Sequence, residues 1–236
     1  MFGIFKKRQS ILDSGLLQGF TDHHSHLLPG VDDGFQTAED TIEALHAMEQ
    51  AGVAEVWFTP HIMEDVPNDT ADLRRHFDEF KASYTGGIKL NLAAENMMDN
   101  VFAIRWEERD LLMIADKHPL VETSYFRAPL EMRGLIGEML NAGLSPILAH
   151  PERYKYMEQS DYEELKQMGV LFQMNLGSIA GCYSKHTKER AEWLLTNGFY
   201  DLMGSDIHNL RFYNHSITTP LSMKIIDKLR EIGNRL

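Results

Sequence analysis

Cysteine is almost absent from this chain, which limits the cross-links and the metal sites that the protein can build. Cys182 is the only cysteine among 236 residues, so an intrachain disulfide framework and a cysteine-rich zinc site are both excluded. A single cysteine also suits a reducing compartment.

Long hydrophobic runs are absent as well. No stretch of the sequence reaches the roughly 18 uninterrupted apolar residues that are typical of a transmembrane helix. The start, MFGIFKKRQS, has a short apolar run followed by its basic residues, whereas a signal peptide has the basic residues first. We therefore expect a cytoplasmic protein with no integral membrane segment, and we expect its short N-terminus to fray.

Positive charge is scarce. The chain has 23 Lys and Arg residues against 35 Asp and Glu residues, for a formal net charge of -12. Binding along a nucleic acid needs a basic stripe that displaces counterions from the phosphates, so we exclude nucleic acid as a partner. An anionic substrate would need a local source of positive charge.

The sequence also lacks an obvious linker and internal repeats, which favours a single-domain organisation. No segment rich in Pro, Gly or Ser divides the chain. We predict an N-terminal extension over residues 1–18 and a single domain over residues 19–236.

Short apolar runs alternate with amphipathic stretches from residue 19 onward. Seven strands are predicted: one just before His24, and others within 54–61, 88–95, 118–124, 144–153, 169–178 and 199–208. Helices are predicted over 37–52, 69–84, 129–143, 161–169 and 185–198. Repeated alternation of strand and helix favours a parallel α/β fold. The stretch 97–117 has no clear strand and is predicted to be a loop or a lid.

Side chains that can bind metal recur where the predicted strands end, beginning with the stretch TDHHSHLLPGVDDG. They are His24, His26, Asp33, His61, Glu95, Glu122, His150, Asp206 and His208. The carboxyl ends of parallel strands in a barrel form one rim, so these residues are expected to converge. A turn cap for His61, or a salt bridge to an arginine for Glu95 and Glu122, is the simpler alternative. Imidazole and carboxylate together suit Mn, Fe or Zn.

The ordered motifs DHHSHLLPGVDDG, TPH, AAEN, VETS, HPERY and GSDIHN resemble the polymerase and histidinol phosphatase (PHP) family. Within it, they resemble the bacterial manganese-dependent tyrosine phosphatases of capsule and exopolysaccharide loci. The resemblance covers about residues 19–215 and implies a distorted seven-stranded (β/α) barrel, TIM-like, with three divalent ions, manganese first and iron or zinc as alternatives. It implies one ion on His24, His26, Glu95 and Asp206, a second on Glu95, Glu122 and His150, and a third on Asp33, His61 and His208.

The same resemblance implies a function. Metal-bound hydroxide would hydrolyse phosphotyrosine on the flexible tail of a bacterial tyrosine kinase that controls capsule or exopolysaccharide synthesis. Arg153, in HPERY, is expected to bind the phosphate. Relatives often carry a further arginine, before a proline, beyond the SDxHN motif. This chain reads LRFYNH there, so Arg211 is the candidate substitute.

Three alternatives differ in class. A cysteine-dependent phosphatase needs a Cys-x5-Arg loop, but Lys188 stands six positions after Cys182, so this alternative fails. Another PHP phosphoesterase, such as a histidinol-phosphate phosphatase, would use the same metal chemistry with a different substrate pocket. A non-catalytic scaffold stabilised by metal is the third alternative, although a scaffold has no need of open coordination positions.

Overall fold

The computed structural model of the protein describes residues 8–233 and residue 236. The strands in this part are β1 (Arg8–Gln9), β2 (Phe20–Asp22), β3 (Val53–Phe58), β4 (His61–Ile62), β5 (Lys89–Leu92), β6 (Glu95–Met97), β7 (Leu120–Glu122), β8 (Ile147–Ala149), β9 (Leu171–Asn175), β10 (Leu202–Gly204) and β11 (Leu221–Ser222). The helices are α1 (Ala38–Ala51), α2 (Thr70–Ser83), α3 (Asn100–Glu108), α4 (Met132–Asn141), α5 (Gln159–Met168), α6 (Leu176–Ala180), α7 (Lys185–Thr196), α8 (Leu210–Thr218) and α9 (Met223–Glu231).

Parallel pairing builds the two main sheets. One has the strand order β10-β9-β8-β7-β6-β4 and the other has the order β2-β3-β5. All the pairs in both sheets are parallel, whereas β1 pairs with β11 antiparallel outside them. The predicted parallel α/β fold is confirmed.

Two predicted strands are each broken into two. The stretch 54–61 contains β3 and then β4, with Thr59 and Pro60 between them. Pro60 has no N–H to donate to a ladder, which is why proline is rare inside central strands. The stretch 88–95 likewise divides into β5 and β6, and the second half of each broken strand joins the six-stranded sheet. The breaks therefore link the two sheets through continuous chain.

The loops after β2 and β10 also meet. The backbone N–H of Asp206 donates to the carbonyl of His24 at 2.8 Å, and the N–H of His26 donates to the carbonyl of Ile207 at 3.0 Å. Asp22 strengthens this contact, because its Oδ1 accepts the backbone N–H groups of Ser205 at 2.8 Å and of His24 at 3.2 Å. The Asp22 carboxylate thus joins the loop after β2 to the loop after β10.

The five predicted helices are confirmed as α1, α2, α4, α5 and α7. Helix α1 shows why: the Thr37 hydroxyl accepts the N–H of Asp40 at its start, and Gly52 ends it with a φ of 104°, a backbone conformation that costs glycine little.

The prediction of a loop over 97–117 is wrong at its centre, where α3 lies. Asp99 begins this helix by accepting the N–H of Phe102. Phe102 is its one buried residue, so the 3.6-residue apolar period that predicts a helix is missing from the sequence.

Residues 8–18 pack against the rest of the chain rather than fraying. Ile11 and Leu17 are buried in the main hydrophobic core, and Arg8 pairs with Ser222. Residues 1–7, which contain most of the hydrophobic and basic start, lie outside the described residues, and the domain boundary at residue 18 stays a prediction. In the described chain, no helix combines the length and the apolar character needed to cross a membrane.

Candidate metal centre

The structure brings all nine predicted metal-binding residues together at one rim of the sheets, at the end of β7 and just beyond the carboxyl ends of β2, β3, β5, β8 and β10. They arrive after β2 (His24, His26 and Asp33), in β4 (His61), β6 (Glu95) and β7 (Glu122), after β8 (His150) and after β10 (Asp206 and His208). Eight of them form three overlapping groups, in each of which the potential ligand atoms lie within 4.8 Å of one another; His150 joins them through Glu95.

The innermost group is fully buried and consists of His24, His26, Glu95 and Asp206. Glu95 Oε2 lies 3.1 Å from His24 Nε2 and 3.2 Å from His26 Nε2. Asp206 Oδ1 lies 3.5 and 3.3 Å from the same two nitrogens. Two imidazoles and two carboxylates therefore point at one small volume.

The second group is arranged around the two glutamates. His61 Nδ1 lies 3.2 Å from Glu95 Oε2 and 3.3 Å from Glu122 Oε1. His150 Nε2 lies 2.9 Å from Glu95 Oε1 and 3.8 Å from Glu122 Oε2. Glu95 thus belongs to two groups at once, through both of its oxygens.

The third group opens to solvent. Asp33 Oδ1 lies 3.3 Å from His208 Nε2 and 3.6 Å from His61 Nε2, and the Asp33 side chain is 71% exposed. His208 Nδ1 lies 3.5 Å from Asp206 Oδ1, which joins this group to the innermost one. His61 lies between the second and third groups, close enough to serve either.

Outer partners fix the orientation of the two inner imidazoles. Gln173 Nε2 donates to Met174 and Asn175, so its Oε1 remains to accept from His24 Nδ1 at 2.8 Å. Asp32 Oδ2 accepts from His26 Nδ1 at 2.8 Å. With both Nδ1 atoms donating outwards, the Nε2 lone pairs of the two rings face inwards, as in metal-binding histidines.

Asp206 is oriented in the same way. Its Oδ2 accepts hydrogen bonds from Arg153 Nη1 at 2.9 Å, Asn175 Nδ2 at 2.6 Å and Tyr183 Oη at 3.2 Å. Its Oδ1 is left facing the imidazoles. The sequence did not predict the roles of Asp32, Gln173 and Asn175. The signal for the last two was two polar residues, two positions apart, in an otherwise apolar strand.

The buried carboxylates of the centre favour positive charge on the groups around them, as the pKa shifts show. Burial lowers the pKa of His24, but the carboxylates of Glu95 and Asp206 outweigh burial and raise it to about 9. Burial works the other way on Glu95 and Asp206, yet His24 and its neighbouring imidazoles hold the pKa of both carboxyls well below the usual range. Despite burial, the hydrogen bond from His26 lowers the pKa of Asp32 to about 2.

The residues present fit divalent metal ions. Glu95 Oε2 and His61 Nδ1 are buried and have no hydrogen-bond partner, although both lie within 3.3 Å of other potential ligand atoms. Bonds of about 2.1 Å to a shared ion place neighbouring ligand atoms roughly 3.0 to 3.4 Å apart. The separations around Glu95 Oε2 match that range, and a cation there would satisfy both orphaned atoms.

Of the two predicted arginines, Arg153 lies beside the centre. Its guanidinium is stacked between the rings of Tyr125 and Tyr183, at 4.4 and 4.3 Å from their centroids. Burial opposes its charge, but Asp206 more than compensates and raises the pKa of Arg153. Arg211 instead lies exposed in α8 and forms no ion pair with any described carboxylate, so its role stays a prediction.

A parallel α/β fold that gathers imidazoles and carboxylates at the carboxyl ends of its strands is typical of metal-dependent hydrolases. The chain belongs to a family within this class: the capsular polysaccharide synthesis family CpsB/CapC matches residues 20–226.

Known proteins agree with this membership. Tyrosine-protein phosphatase YwqE of Bacillus subtilis (strain 168) is 27% identical over 225 residues, covering 91% of this chain and 86% of YwqE. A solved structure described as one of YwqE from Bacillus subtilis and CpsB from Streptococcus pneumoniae, unique metal-dependent tyrosine phosphatases, matches with a TM-score of 0.77 at 25% identity. It covers 92% of this chain and 88% of that chain.

A more distant likeness supports the fold alone. Histidinol phosphate phosphatase from Lactococcus lactis subsp. lactis Il1403, complexed with zinc, L-histidinol and phosphate, matches with a TM-score of 0.52 at 12% identity. The match covers 90% of this chain and 94% of that chain.

Proposed function

We propose that this chain is a metal-dependent protein-tyrosine phosphatase that uses three divalent ions, manganese first and iron or zinc as alternatives. One observation carries the proposal: nine potential ligands form one connected cluster, with Arg153 beside it. The family, and the name of the relative YwqE, support phosphotyrosine as the substrate.

The proposed ligands divide as follows. His24, His26, Glu95 and Asp206 would hold one ion, Glu95, Glu122 and His150 would hold a second, and Asp33, His61 and His208 would hold the third. Glu95 would serve both of the first two ions, because its Oε2 lies next to His24 and its Oε1 lies next to His150. His61 lies 3.3 Å from Glu122, so it is also placed to share the second ion.

When bound, the divalent ions lower the pKa of a water molecule and neutralise charge on the phosphoryl oxygens. The side chains of the protein supply orientation. Gln173 and Asp32 hold the imidazoles of His24 and His26 with Nε2 turned inwards. Arg153 keeps its charge at all working pH values and orients the phosphate. The exposed Asp33 marks the side from which the substrate enters.

The leaving group favours phosphotyrosine. A phenolate departs more readily than a serine alkoxide, so less help from a general acid is needed. The open side of the centre suits a substrate on a flexible tail, and we propose that the tail belongs to a bacterial tyrosine kinase in the cytoplasm that controls capsule or exopolysaccharide synthesis.

We propose further that the two sheets close into a distorted (β/α)7 barrel. The contacts of His24 and His26 with Asp206 and Ile207 support closure between β2 and β10. The broken strands β3–β4 and β5–β6 would each count once, which gives the predicted seven positions.

A phosphate-release assay on the purified, metal-loaded protein tests the function. We expect a phosphotyrosine peptide to be hydrolysed faster than a phosphoserine peptide or histidinol phosphate at matched concentrations. Faster turnover of histidinol phosphate would instead favour another PHP phosphoesterase. No release from any of the three substrates, at full metal content, would favour the scaffold.

A further inference from the structure

The two most exposed large apolar side chains of the described chain belong to one segment, which begins next to the metal centre. Phe126 is 70% exposed and Leu130 is fully exposed. Both lie in residues 124–130, between β7 and α4, which we call the rim ridge. The ridge begins two residues after Glu122, and the ring of Tyr125 lies 6.0 Å from the ring of His150.

The base of the rim ridge is fixed to the neighbouring segment. The N–H of Lys155 donates to the carbonyl of Tyr125 at 2.8 Å. Just before the ridge, Thr123 Oγ1 and Tyr156 Oη share a hydrogen bond of 2.6 Å. The segment that carries the exposed Phe126 and Leu130 is therefore held in place at its start. A peptide that covered Phe126 and Leu130 would remove exposed apolar surface from water, which is favourable.

The ridge and its surroundings carry two exposed cations in a protein whose formal net charge is -12. Arg127 is exposed in the ridge, and Lys155 Nζ lies 4.5 Å from the centroid of the Phe126 ring. Neither cation forms an ion pair with a described carboxylate. Glu152, in the same segment as Lys155, is buried and accepts the N–H of Asn175. Glu131 is the exposed acid that follows the ridge.

An open pocket of about 330 Å³ lies against the ridge, lined by Ser124, Arg127 and Leu130 together with Met97 and Asp99. The carboxylate of Asp99 is already engaged, because Oδ1 accepts the N–H of Phe102 and Oδ2 accepts the N–H of Glu64. Asp99 keeps its negative charge in the lining of the pocket, whereas the guanidinium of Arg127 has no hydrogen-bond or ion-pair partner among the described residues.

Building on the proposed function, we propose that the rim ridge is a peptide subsite. It binds the residues that flank the phosphotyrosine and prefers an acidic residue next to an apolar one. An extended peptide advances about 3.3 Å per residue, so a peptide whose phosphotyrosine reaches Arg153 passes over the ridge within a few residues. A small aryl phosphate has no such flanking residues.

The test compares three substrates on the metal-loaded protein: a phosphotyrosine peptide with acidic and apolar flanks, the same peptide with lysine flanks, and para-nitrophenyl phosphate. The ridge variant is Arg127→Glu with Lys155→Glu, and a second variant is Leu130→Ser. The control is Lys117→Glu with Lys224→Glu. It makes the same charge change at exposed sites before β7 and in α9.

We expect kcat/KM for the acidic peptide to exceed that for the lysine peptide by about tenfold, the size that two surface charge pairs supply. The ridge charge variant abolishes or reverses this preference, and Leu130→Ser lowers the ratio of peptide to para-nitrophenyl phosphate turnover. The control keeps both ratios.

Equal hydrolysis of the two peptides, or a preference that survives in the ridge charge variant, overturns the subsite. A change of sedimentation in Leu130→Ser with unchanged substrate ratios also overturns it and assigns the ridge to self-association. Hydrolysis of none of the three substrates at full metal content overturns the proposed function, and the subsite with it.

Discussion

Glu95 is the residue on which the account of the metal centre depends most. Its Oε2 lies 3.1 to 3.2 Å from nitrogens of His24, His26 and His61, yet it has no hydrogen-bond partner in the described structure. A buried carboxylate oxygen without a partner is costly. A shared cation removes that cost and explains why three imidazoles surround one oxygen.

Glu95→Gln is therefore expected to lower metal content and activity more than the loss of any terminal ligand does. The substitution keeps the volume and removes the charge that would bridge two ions, so we expect lower metal content and a loss of activity of more than about 100-fold. His61→Ala should cost less, and His46→Ala, at an exposed position of α1, should change neither quantity. Metal analysis and phosphate release on the same samples check this. Full metal content and normal turnover in Glu95→Gln would contradict the bridging role.

Tyr183 is expected to act on catalysis through Arg153. Tyr183→Phe keeps the ring that stacks on the guanidinium and loses the hydrogen bond to Asp206, whereas Tyr183→Leu loses both. A buried cation–π contact contributes about 2 kcal/mol. We expect kcat/KM to fall roughly tenfold or more in Tyr183→Leu and clearly less in Tyr183→Phe, with metal content kept in Tyr183→Phe. Equal losses in the two variants would show that stacking does not position Arg153.

The sequence predicted that the metal-binding residues converge, but it did not predict all the residues that hold their side chains in place. Asp33 was identified, while its neighbour Asp32, which accepts from His26, was not. The two aspartates have the same chemistry, and the loop conformation alone decides which one faces the imidazole. Gln173 was detectable, because a polar residue in a buried strand needs a partner.

The element that sets the position of these aspartates is the loop between β2 and α1, in which Gly34 follows them directly. The N–H of Gly34 donates to Asp32 Oδ1 at 2.9 Å. A Cβ at Gly34 would overlap the carbonyl oxygen of His26 and lie 2.6 Å from the His26 Cβ. Only glycine allows the loop to pass so close to the strand end.

Gly34→Ala is expected to displace the loop and weaken metal binding by about tenfold or more, as loss of an outer support of a ligand does. Gly134→Ala, in α4, is the matched control, because a Cβ there meets no atom within 4 Å; alanine should be neutral or stabilising in this helix. Metal titration followed by thermal unfolding with and without Mn²⁺ measures both effects. Unchanged metal affinity in Gly34→Ala would contradict the role of the loop.

Helices were predictable where an apolar stripe runs between caps, as in α1. Helix α3 buries only Phe102, so its pattern carries little information. The breaks at Pro60 and between β5 and β6 were also missed. An apolar run indicates that a segment is buried, but it does not indicate where the chain leaves one sheet and joins the other.

The whole molecule carries a formal net charge of -12 and is proposed to bind a dianionic substrate. Its own carboxylates concentrate at the centre, which would repel phosphate. Three divalent ions would bring about six positive charges to the centre. The same ions would therefore attract the phosphate and assist its hydrolysis. The parallel architecture was predictable from the alternation of elements, while the proposed closure of a barrel rests on contacts between the loops after β2 and β10, which are far apart in sequence.

Removal and return of metal shows whether hydrolysis by this protein depends on bound divalent ions. The intact protein is treated exhaustively with a chelator, and phosphate release from a phosphotyrosine peptide is measured before treatment, after it, and after addition of Mn²⁺. We predict that activity is abolished and then restored, and that Cys182→Ser, a change at a half-buried thiol outside the centre, behaves like the unmodified protein throughout. Activity that survives complete removal of metal, and is lost on alkylation of Cys182, would contradict the account.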